Sequence, residues 1–411
     1  MPEVANHIEP MQTDVAVVGG GLVGMAMALS LAQRKISSVL LEAQPSPEES
    51  PEQFDDRTLV INPASQVFWQ DLGLWSAIEP HTTSIDHVHV SNQGQFGVVH
   101  FDKDELDVTQ LGHVVAAKTL ASTLFKAVKQ QTLITYLQPA KLLDFEQGKN
   151  QIQLTVEQNG QNQANSTQQV IAQLMVGADG VQSSIRKQLN LLTEVKSYQR
   201  SAIVCNITTA QRHQHRAFER LTTYGPMALL PFSNGSNKNR FGFVWSLPAE
   251  QAEQLLKAGE ESFLQQAQQQ FGYRAGEFQK LGRRSSYPIY QIKVPVQYAH
   301  RVVLMGNAAH AVSPVSAQGL NLAVRGIARL SEQLQKSKGL GIDLGSDSVL
   351  KEYQLASNED QQRTLNYTDD LMTWFKIDEP IVNAFRSMGL VAINANINLK
   401  KKLYNTAGGL R

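Results

Sequence analysis

Cysteine is almost missing from this chain: Cys205 is the single one in 411 residues. That excludes an internal disulfide framework and any zinc cluster built on several thiolates. Cys205 itself sits in the apolar run Ala202-Ile203-Val204-Cys205, which reads as a buried strand. An excess of either charge is missing too. Lys plus Arg and Asp plus Glu number 37 each, so the footprint of a nucleic-acid partner is absent and none is expected. No apolar run approaches the ~20 residues of a transmembrane helix. The first dozen residues are polar and acidic, without the cationic and apolar regions of a secretory signal. The expectation is a protein of the reducing cytoplasm. No metal site is expected, because His213 and His215 have no companion ligands and their spacing marks an exposed turn.

What is present is a large apolar share, 42% of the residues, in a chain long enough for two or three domains. The organising stretch is Asp14-Val15-Ala16-Val17-Val18 followed at once by Gly19-Gly20-Gly21-Leu22-Val23-Gly24. The four apolar residues read as a buried parallel strand. Gly19, Gly21 and Gly24 fill the three fixed positions of G-x-G-x-x-G. The first allows a tight turn, the second lets a pyrophosphate reach the backbone, and the third lets the helix opened by Leu22 pack close to its strand. That helix presents its N–H groups and the positive end of its dipole to the phosphates. A second strand, Ser38-Val39-Leu40-Leu41, ends in Glu42, near the roughly 20-residue interval of a ribose-binding carboxylate. Together these residues make an ADP-binding βαβ unit. The fingerprint leaves open whether NAD or FAD is the dinucleotide.

Along the chain, a proline-rich acidic loop from Pro45 to Pro51 leads to Phe54-Asp55-Asp56-Arg57 and a helical stretch from about Asn62 to Trp75. Residues 85–101 alternate apolar and polar around Asn92-Gln93-Gly94-Gln95, a hairpin and a first excursion into a second domain. A polar tract, Gln158 to Gln168, reads as a solvated hairpin turn. Another apolar strand then ends in Gly177-Ala178-Asp179-Gly180, with Ser183, Ser184 and Arg186 beyond it. From about Ser197 the period becomes two, interrupted by a glutamine-rich helix pair over 250–270. The first fold returns at Arg301 to Gly306, and the tail is helical. The fold class is α/β. A Rossmann-like dinucleotide domain (1–84, 102–192 and 293–345) carries an inserted β-sheet substrate domain (85–101 and 193–292) and a helical C-terminal region (346–411).

Three separated stretches share one pattern: the N-terminal fingerprint, Gly177-Ala178-Asp179-Gly180 with its Arg186, and Gly306-Asn307-Ala308-Ala309-His310 running through Pro314 to Ala317-Gln318-Gly319-Leu320-Asn321. In this order they resemble the single-component FAD-dependent aromatic hydroxylases of the para-hydroxybenzoate hydroxylase type, over nearly the whole chain. Closer similarity is to the ubiquinone-ring hydroxylases, through Phe54-Asp55-Asp56-Arg57 and Arg216-Ala217-Phe218-Glu219-Arg220-Leu221 with Tyr224-Gly225-Pro226. Within that set the chain is most similar to those that oxidise ring carbon 4 of 2-polyprenyl-6-methoxyphenol. Two departures stand out. Asn307 takes the place of the family's usual Asp, and Ala317 the place of a glycine, where it restricts φ.

The resemblance implies FAD as cofactor and NAD(P)H as reductant. O2 then adds at flavin carbon 4a, and the hydroperoxide delivers oxygen to an electron-rich phenol. It also implies roles for residues. Gly19, Gly21, Leu22 and Gly24 admit the pyrophosphate, and Glu42 takes the ribose. Asp179 and Gly180 lie near the pyrophosphate, with Arg186 beside them. Gly306 and Asn307 hold the ribityl chain. Ala317, Gln318, Gly319, Leu320 and Asn321 open a helix aimed at the flavin's O2 edge. Pro314 stiffens the loop at the reactive edge, and Arg57 reaches the flavin. Tyr224 and Arg220 line the substrate pocket. Asp179 capping its own helix, Arg57 closing a loop, His310 held by backbone, and Tyr224 and Arg220 as ordinary strand residues are the bland alternatives. The implied partners are a polyprenyl phenol and O2. A ubiquinone-biosynthesis complex and peripheral contact at the inner membrane through Lys400–Lys402 complete the expectation, with a solvated helix end as the bland reading of that run. The alternative functions are hydroxylation at another ring carbon, a flavin-dependent prenyl reductase and a flavin-binding scaffold.

Overall fold

The structure is a computed structural model that describes residues 9–45, 57–158, 166–233, 235, 237–314, 317–374 and 380–410, with backbone alone at 374 and 380–386. Residues 1–8, most of the proline-rich loop, Phe54 to Asp56, the core of the polar tract, Val315-Ser316 and Phe375 lie outside the described residues.

Strand β1 (Met11–Val18) leads into α1 (Leu22–Gln33), and β2 (Ser38–Leu41) returns parallel to β1 with Val18 opposite Leu41. All of β2 and the last four residues of β1 are buried, as strands covered on both faces must be. After β3 (Thr58–Ile61), Asn62 caps α2 (Pro63–Asp71) by accepting the Ser65 N–H at 2.9 Å. The helix expected through Trp75 stops short because Gly73 takes a left-handed φ of 71°; a single turn, Trp75–Ile78, follows. The expected hairpin is β4 (His87–Asn92) with β5 (Val98–Asp102). An amphipathic α3 (Ala117–Lys129) precedes the long strand β6 (Ser166–Gly177). Burial along β6 alternates at first and becomes complete from Leu174. The change marks where it enters the parallel layer between β1 and its other neighbour.

Beyond α4 (Ser184–Gln188) come β7 (Glu194–Thr209), β8 (Arg216–Thr222), β9 (Gly225–Pro231) and β10 (Arg240–Pro248). The glutamine-rich segment forms α5 (Ala249–Lys257) and α6 (Glu260–Phe271), and β11 (Ser285–Lys293) returns along β7. Strand β12 (Val302–Leu304) then rejoins β6 in parallel, followed by α7 (Gly319–Gly339), α8 (Asp347–Trp374), α9 (Pro380–Ala395) and α10 (Ile397–Gly408).

Among the described residues one sheet of eight strands runs β12–β6–β1–β2 through its parallel centre. A second sheet of nine strands runs β11–β7–β10–β9–β8–β4–β5, so the 87–102 hairpin and the strands after 193 share one sheet. Two faces of that second sheet have different partners. On one, Phe218, Phe243 and Trp245 pack against Phe263, Ala267 and Phe271 of α6, which buries the apolar side of the glutamine-rich helices. On the other, Ala202, Val204, Ala228 and Val244 pack against Met372 of α8. This inner face also meets the first fold at Gly242, where a Cβ would fall 2.0 Å from Thr58 Oγ1 of β3. His213, expected on an exposed turn, is instead 2% exposed. Its Nε2 meets Ser233 Oγ at 2.8 Å and its ring stacks edge-on against Phe241, so the turn folds its first histidine inward.

Candidate functional site

The turn after β1 shows what each glycine is for. Gly19 has φ of 109°, and a Cβ there would lie 2.4 Å from the Ala178 carbonyl oxygen. At Gly24 a Cβ would fall 1.8 Å from the Gly19 carbonyl oxygen, so α1 reaches its strand only without one. Gly21 is different: among the described residues nothing lies within 4 Å of its Cβ position. That open side is where a phosphate can approach the backbone. Helix α1 has no side-chain cap and no acid in its first turn, which leaves its leading N–H groups for a ligand. Glu42 is locked beside the turn, its carboxylate accepting the Gly20 N–H at 2.7 Å and the Gln44 N–H at 2.8 Å. A carboxylate has about four lone-pair sites, so capacity remains for a diol.

The turn after β6 stands next to it. Asp179 Oδ2 accepts the Ser184 N–H at 2.8 Å and the Ile185 N–H at 3.3 Å, while Ser183 Oγ accepts the Arg186 N–H at 3.0 Å. Asp179 does cap α4. Its other oxygen, Oδ1, is buried and has no hydrogen-bond partner among the described residues. Gly180 has φ of 84° with open space at its Cβ position. The Arg186 guanidinium is buried and donates to the carbonyls of Ala308 and Val181, both at 2.8 Å. It therefore bolts this turn to the third motif and does not pair with Asp179.

In the third motif Gly306, at φ of 56°, brings the chain against α1, its Cβ position 3.0 Å from Val23 Cγ2. Residues from Arg301 to Gly306 and Ala308 to Ala311 are buried, and Asn307 alone among them is exposed. Its amide thus projects from a packed wall at the mouth of the α1 turn. His310 is buried, and desolvation pushes its imidazolium down to about 4, so the ring is neutral at pH 7. Pro314 is exposed. Ala317 adopts φ of 51°, the left-handed conformation that a glycine would take without strain. Asn321 is 1% exposed and is a structural bolt: it accepts the Asn62 N–H at 3.1 Å and donates to the carbonyls of Val60 and Ala317. Gln318 donates to the Ala407 carbonyl at 3.1 Å. Helix α7 also starts without a side-chain cap, and Gly319 at its head has no atom nearer its Cβ position than Val312 Cγ2 at 3.6 Å. Leu320 packs into the core beneath.

Alternation along β8 separates the remaining residues. Arg220 faces α6, donating to the Gln270 carbonyl and to Ser91 Oγ. Tyr224 sits in the turn after β8, 40% exposed, beside a cleft lined by Trp245, Gln251 and Gln270 on that same side. Both lie on the face away from the three glycine turns, and no contact here supports the pocket role read for them from sequence. Arg57 places its guanidinium over the Tyr287 ring at 4.8 Å. The residue that sequence reading passed over is Glu219, which points to the inner face because it is one step along the strand from Arg220. The available signal was the period of two itself. A cleft of about 400 Å³ opens between α7, α8 and α10, with Gln318 and Tyr367 in its lining beside Arg329 and Asp360.

These features fit FAD: an open glycine at an uncapped helix, a ribose-side acid, an unpartnered buried carboxylate oxygen at the second turn, and a lone amide projecting from the third. The FAD binding domain family matches residues 12–356. The chain is 28% identical to a ubiquinone hydroxylase of Rhodospirillum rubrum, covering 96% of this chain and 89% of the relative. It is 26% identical to the 3-demethoxyubiquinol 3-hydroxylase of Escherichia coli, covering 97% and 99%. Its fold is similar to that of the p-nitrophenol 4-monooxygenase of Pseudomonas putida, with a TM-score of 0.76, 16% identity, and 98% and 100% covered. The chain belongs to the FAD binding domain family and is an FAD-dependent monooxygenase.

Proposed function

We propose that the protein hydroxylates the ring of a ubiquinone precursor, taking 2-polyprenyl-6-methoxyphenol to its 4-hydroxy product with NAD(P)H and O2. The observation that carries this reading is the convergence of three glycine turns, Gly19 against Ala178 and Gly306 against Val23, in a unit that the inner face of the second sheet meets at Thr58 through Gly242. The names of both relatives support the ubiquinone ring as substrate class. When bound, FAD supplies the electron transfer and oxygen activation that side chains lack.

The protein's own part is placement. The N-terminal N–H groups of α1 receive the pyrophosphate, and Glu42 accepts the adenosine ribose hydroxyls. Asp179 Oδ1 and Gly180 border the diphosphate and the path of the reductant. Asn307 hydrogen-bonds the ribityl chain, donating where the family's usual carboxylate only accepts. The N–H groups at Gln318 to Asn321 stabilise negative charge at the ring's O2 edge. Arg186 and Asn321 hold these turns in register, and Pro314 borders the reactive edge.

The decisive assay follows NAD(P)H oxidation and O2 uptake by the purified yellow protein with a short-tailed 2-prenyl-6-methoxyphenol. The expected result is a phenol-dependent rise yielding the 1,4-quinol. A yellow protein indifferent to that phenol overturns this substrate. The Escherichia coli relative's name favours a second reading, oxidation at another ring carbon, which product analysis separates.

Among the described residues no helix is long and apolar enough to cross a membrane. A long-tailed substrate calls for contact with lipid, and α9 and α10 expose Met388, Val391, Leu399 and Leu403 beside Lys401 and Lys402. Lys400 of the expected basic run faces inward, bound to Glu105 at 2.8 Å. We place peripheral membrane contact on this face. Deletion of α10 should abolish co-flotation with anionic vesicles; unchanged flotation ends the idea.

A further inference from the structure

Glu219 is a carboxyl group with no job in the fold. On β8 it lies opposite Ala228 of β9 and Val90 of β4, so its neighbours across the inner face are apolar. Ala217 and Leu221 flank it on its own strand. Among the described residues it has neither a hydrogen-bond nor an ion-pair partner. Tyr367 of α8 is the titratable group that feels its charge. Arg200, one row along, is occupied by Ser246 and the Tyr224 carbonyl. Glu219 keeps part of its accessible surface, although desolvation by the surrounding protein dominates the setting of its carboxyl group.

The inner face is the side that reaches toward the third motif. Ala228, opposite Glu219, belongs to the apolar cluster closed by Met372, and Met372 sulfur receives the Ser313 hydroxyl at 3.4 Å. Ser313 precedes Pro314 at the expected reactive edge. An acid left unpaired in an apolar wall costs stability unless a ligand completes it. A phenolic hydroxyl is the complementary group.

We propose that Glu219 is the catalytic base that accepts the substrate's phenolic proton. This rests on the hydroxylase reading above and deepens it. The phenol O–H bond breaks, the proton passes to a Glu219 carboxylate oxygen, and the electron pair stays on the phenolate. Phenolate charge is shared only with the ring carbons ortho and para to it. In a 2-polyprenyl-6-methoxyphenol both ortho carbons are substituted, so the free carbon that gains electron density is carbon 4. Ionisation by Glu219 therefore selects the ring position as well as raising reactivity. Burial pushes the Glu219 carboxyl up to about 8, within reach of working pH for a base.

The test compares wild type with Glu219→Gln and Glu219→Asp, each loaded with FAD, using the short-tailed 2-prenyl-6-methoxyphenol. Three readouts are taken: kcat/KM against pH, the ultraviolet difference spectrum of the bound phenol, and FAD binding. Wild-type kcat/KM should rise with pH through about 8, as the carboxylate forms. Glu219→Gln should bind FAD normally, lose this limb and fall ~100-fold or more, the low end of what a general base contributes. Its bound phenol should show no phenolate band at a pH where wild type shows one, and Glu219→Asp should recover part of both. Equal kcat/KM, pH profile and phenolate band in wild type and Glu219→Gln overturn the proposal. A wild type that leaves the phenol untouched overturns the hydroxylase reading instead.

Discussion

Strands β1 and β6 lie side by side in one parallel layer and each runs into a helix, yet their turns are finished differently. Helix α1 begins after Gly21 with no side-chain cap, and among the described residues nothing occupies the space at that glycine. Helix α4 is capped twice, by Asp179 and by Ser183. The first turn leaves its helix N-terminus uncapped, as the proposed pyrophosphate site requires, and the second spends its own on the fold. The second turn keeps a single group in reserve, the buried Asp179 Oδ1. Two strand–turn–helix units of similar sequence texture are thus built differently, one open at its helix start and one braced.

The strongest test of this contrast lies within the first turn. Gly24→Ala places a methyl 1.8 Å from the Gly19 carbonyl oxygen, and the expected loss is about 3 kcal/mol of stability. Thermal unfolding of the apoprotein reads it, and an unchanged midpoint would show that α1 is not held by this approach. Gly21→Ala meets open space and should leave apoprotein stability within ~0.5 kcal/mol. FAD titration of that variant should nevertheless show affinity about 10-fold weaker, ~1.4 kcal/mol. If both glycines cost stability equally, packing and binding are not divided as argued.

Smaller effects refine the comparison. Asp179→Ala removes the cap of α4 and should cost about 1 kcal/mol in urea denaturation, while Asp179→Asn, which still accepts, should cost less than half of that. At the third motif, Asn307→Asp would, on the proposed placement, add a negative charge beside the flavin and should lower its midpoint potential by about 20 mV, close to 1 kcal/mol for two electrons. Spectroelectrochemistry measures that shift, and its absence would remove Asn307 from the flavin's surroundings. The smallest change expected is a gain. Ala317→Gly relieves the left-handed φ of 51°, offset by the larger unfolded-state entropy of glycine, for a net ~0.5 kcal/mol. A lowered melting temperature would mean that the loop is not strained there.

Much of this was legible along the chain because its signals are local. Gly19, Gly21, Gly24 and Glu42 lie within one βαβ unit, where spacing alone fixes which glycine turns, which opens and which packs. The hairpin at 87–102 and the strands from 194 onward follow from alternation. Less visible were features set by contacts distant in sequence. That Arg186 serves the Ala308 carbonyl, that Asn321 serves Asn62 and Val60, and that His213 turns inward all depend on segments far apart in the chain.

The sequence by itself determined a dinucleotide-binding unit, the parallel layer and the order of the three motifs, because glycine stereochemistry and hydrophobic period act over a few residues. Only the tertiary structure decided which face of β8 looks toward those motifs. A period of two says that Glu219 and Arg220 point opposite ways, but the packing of α6 on one side and α8 on the other says which way is in. Burial among apolar neighbours then gives Glu219 its altered acidity, a property of surroundings that no single stretch of sequence contains.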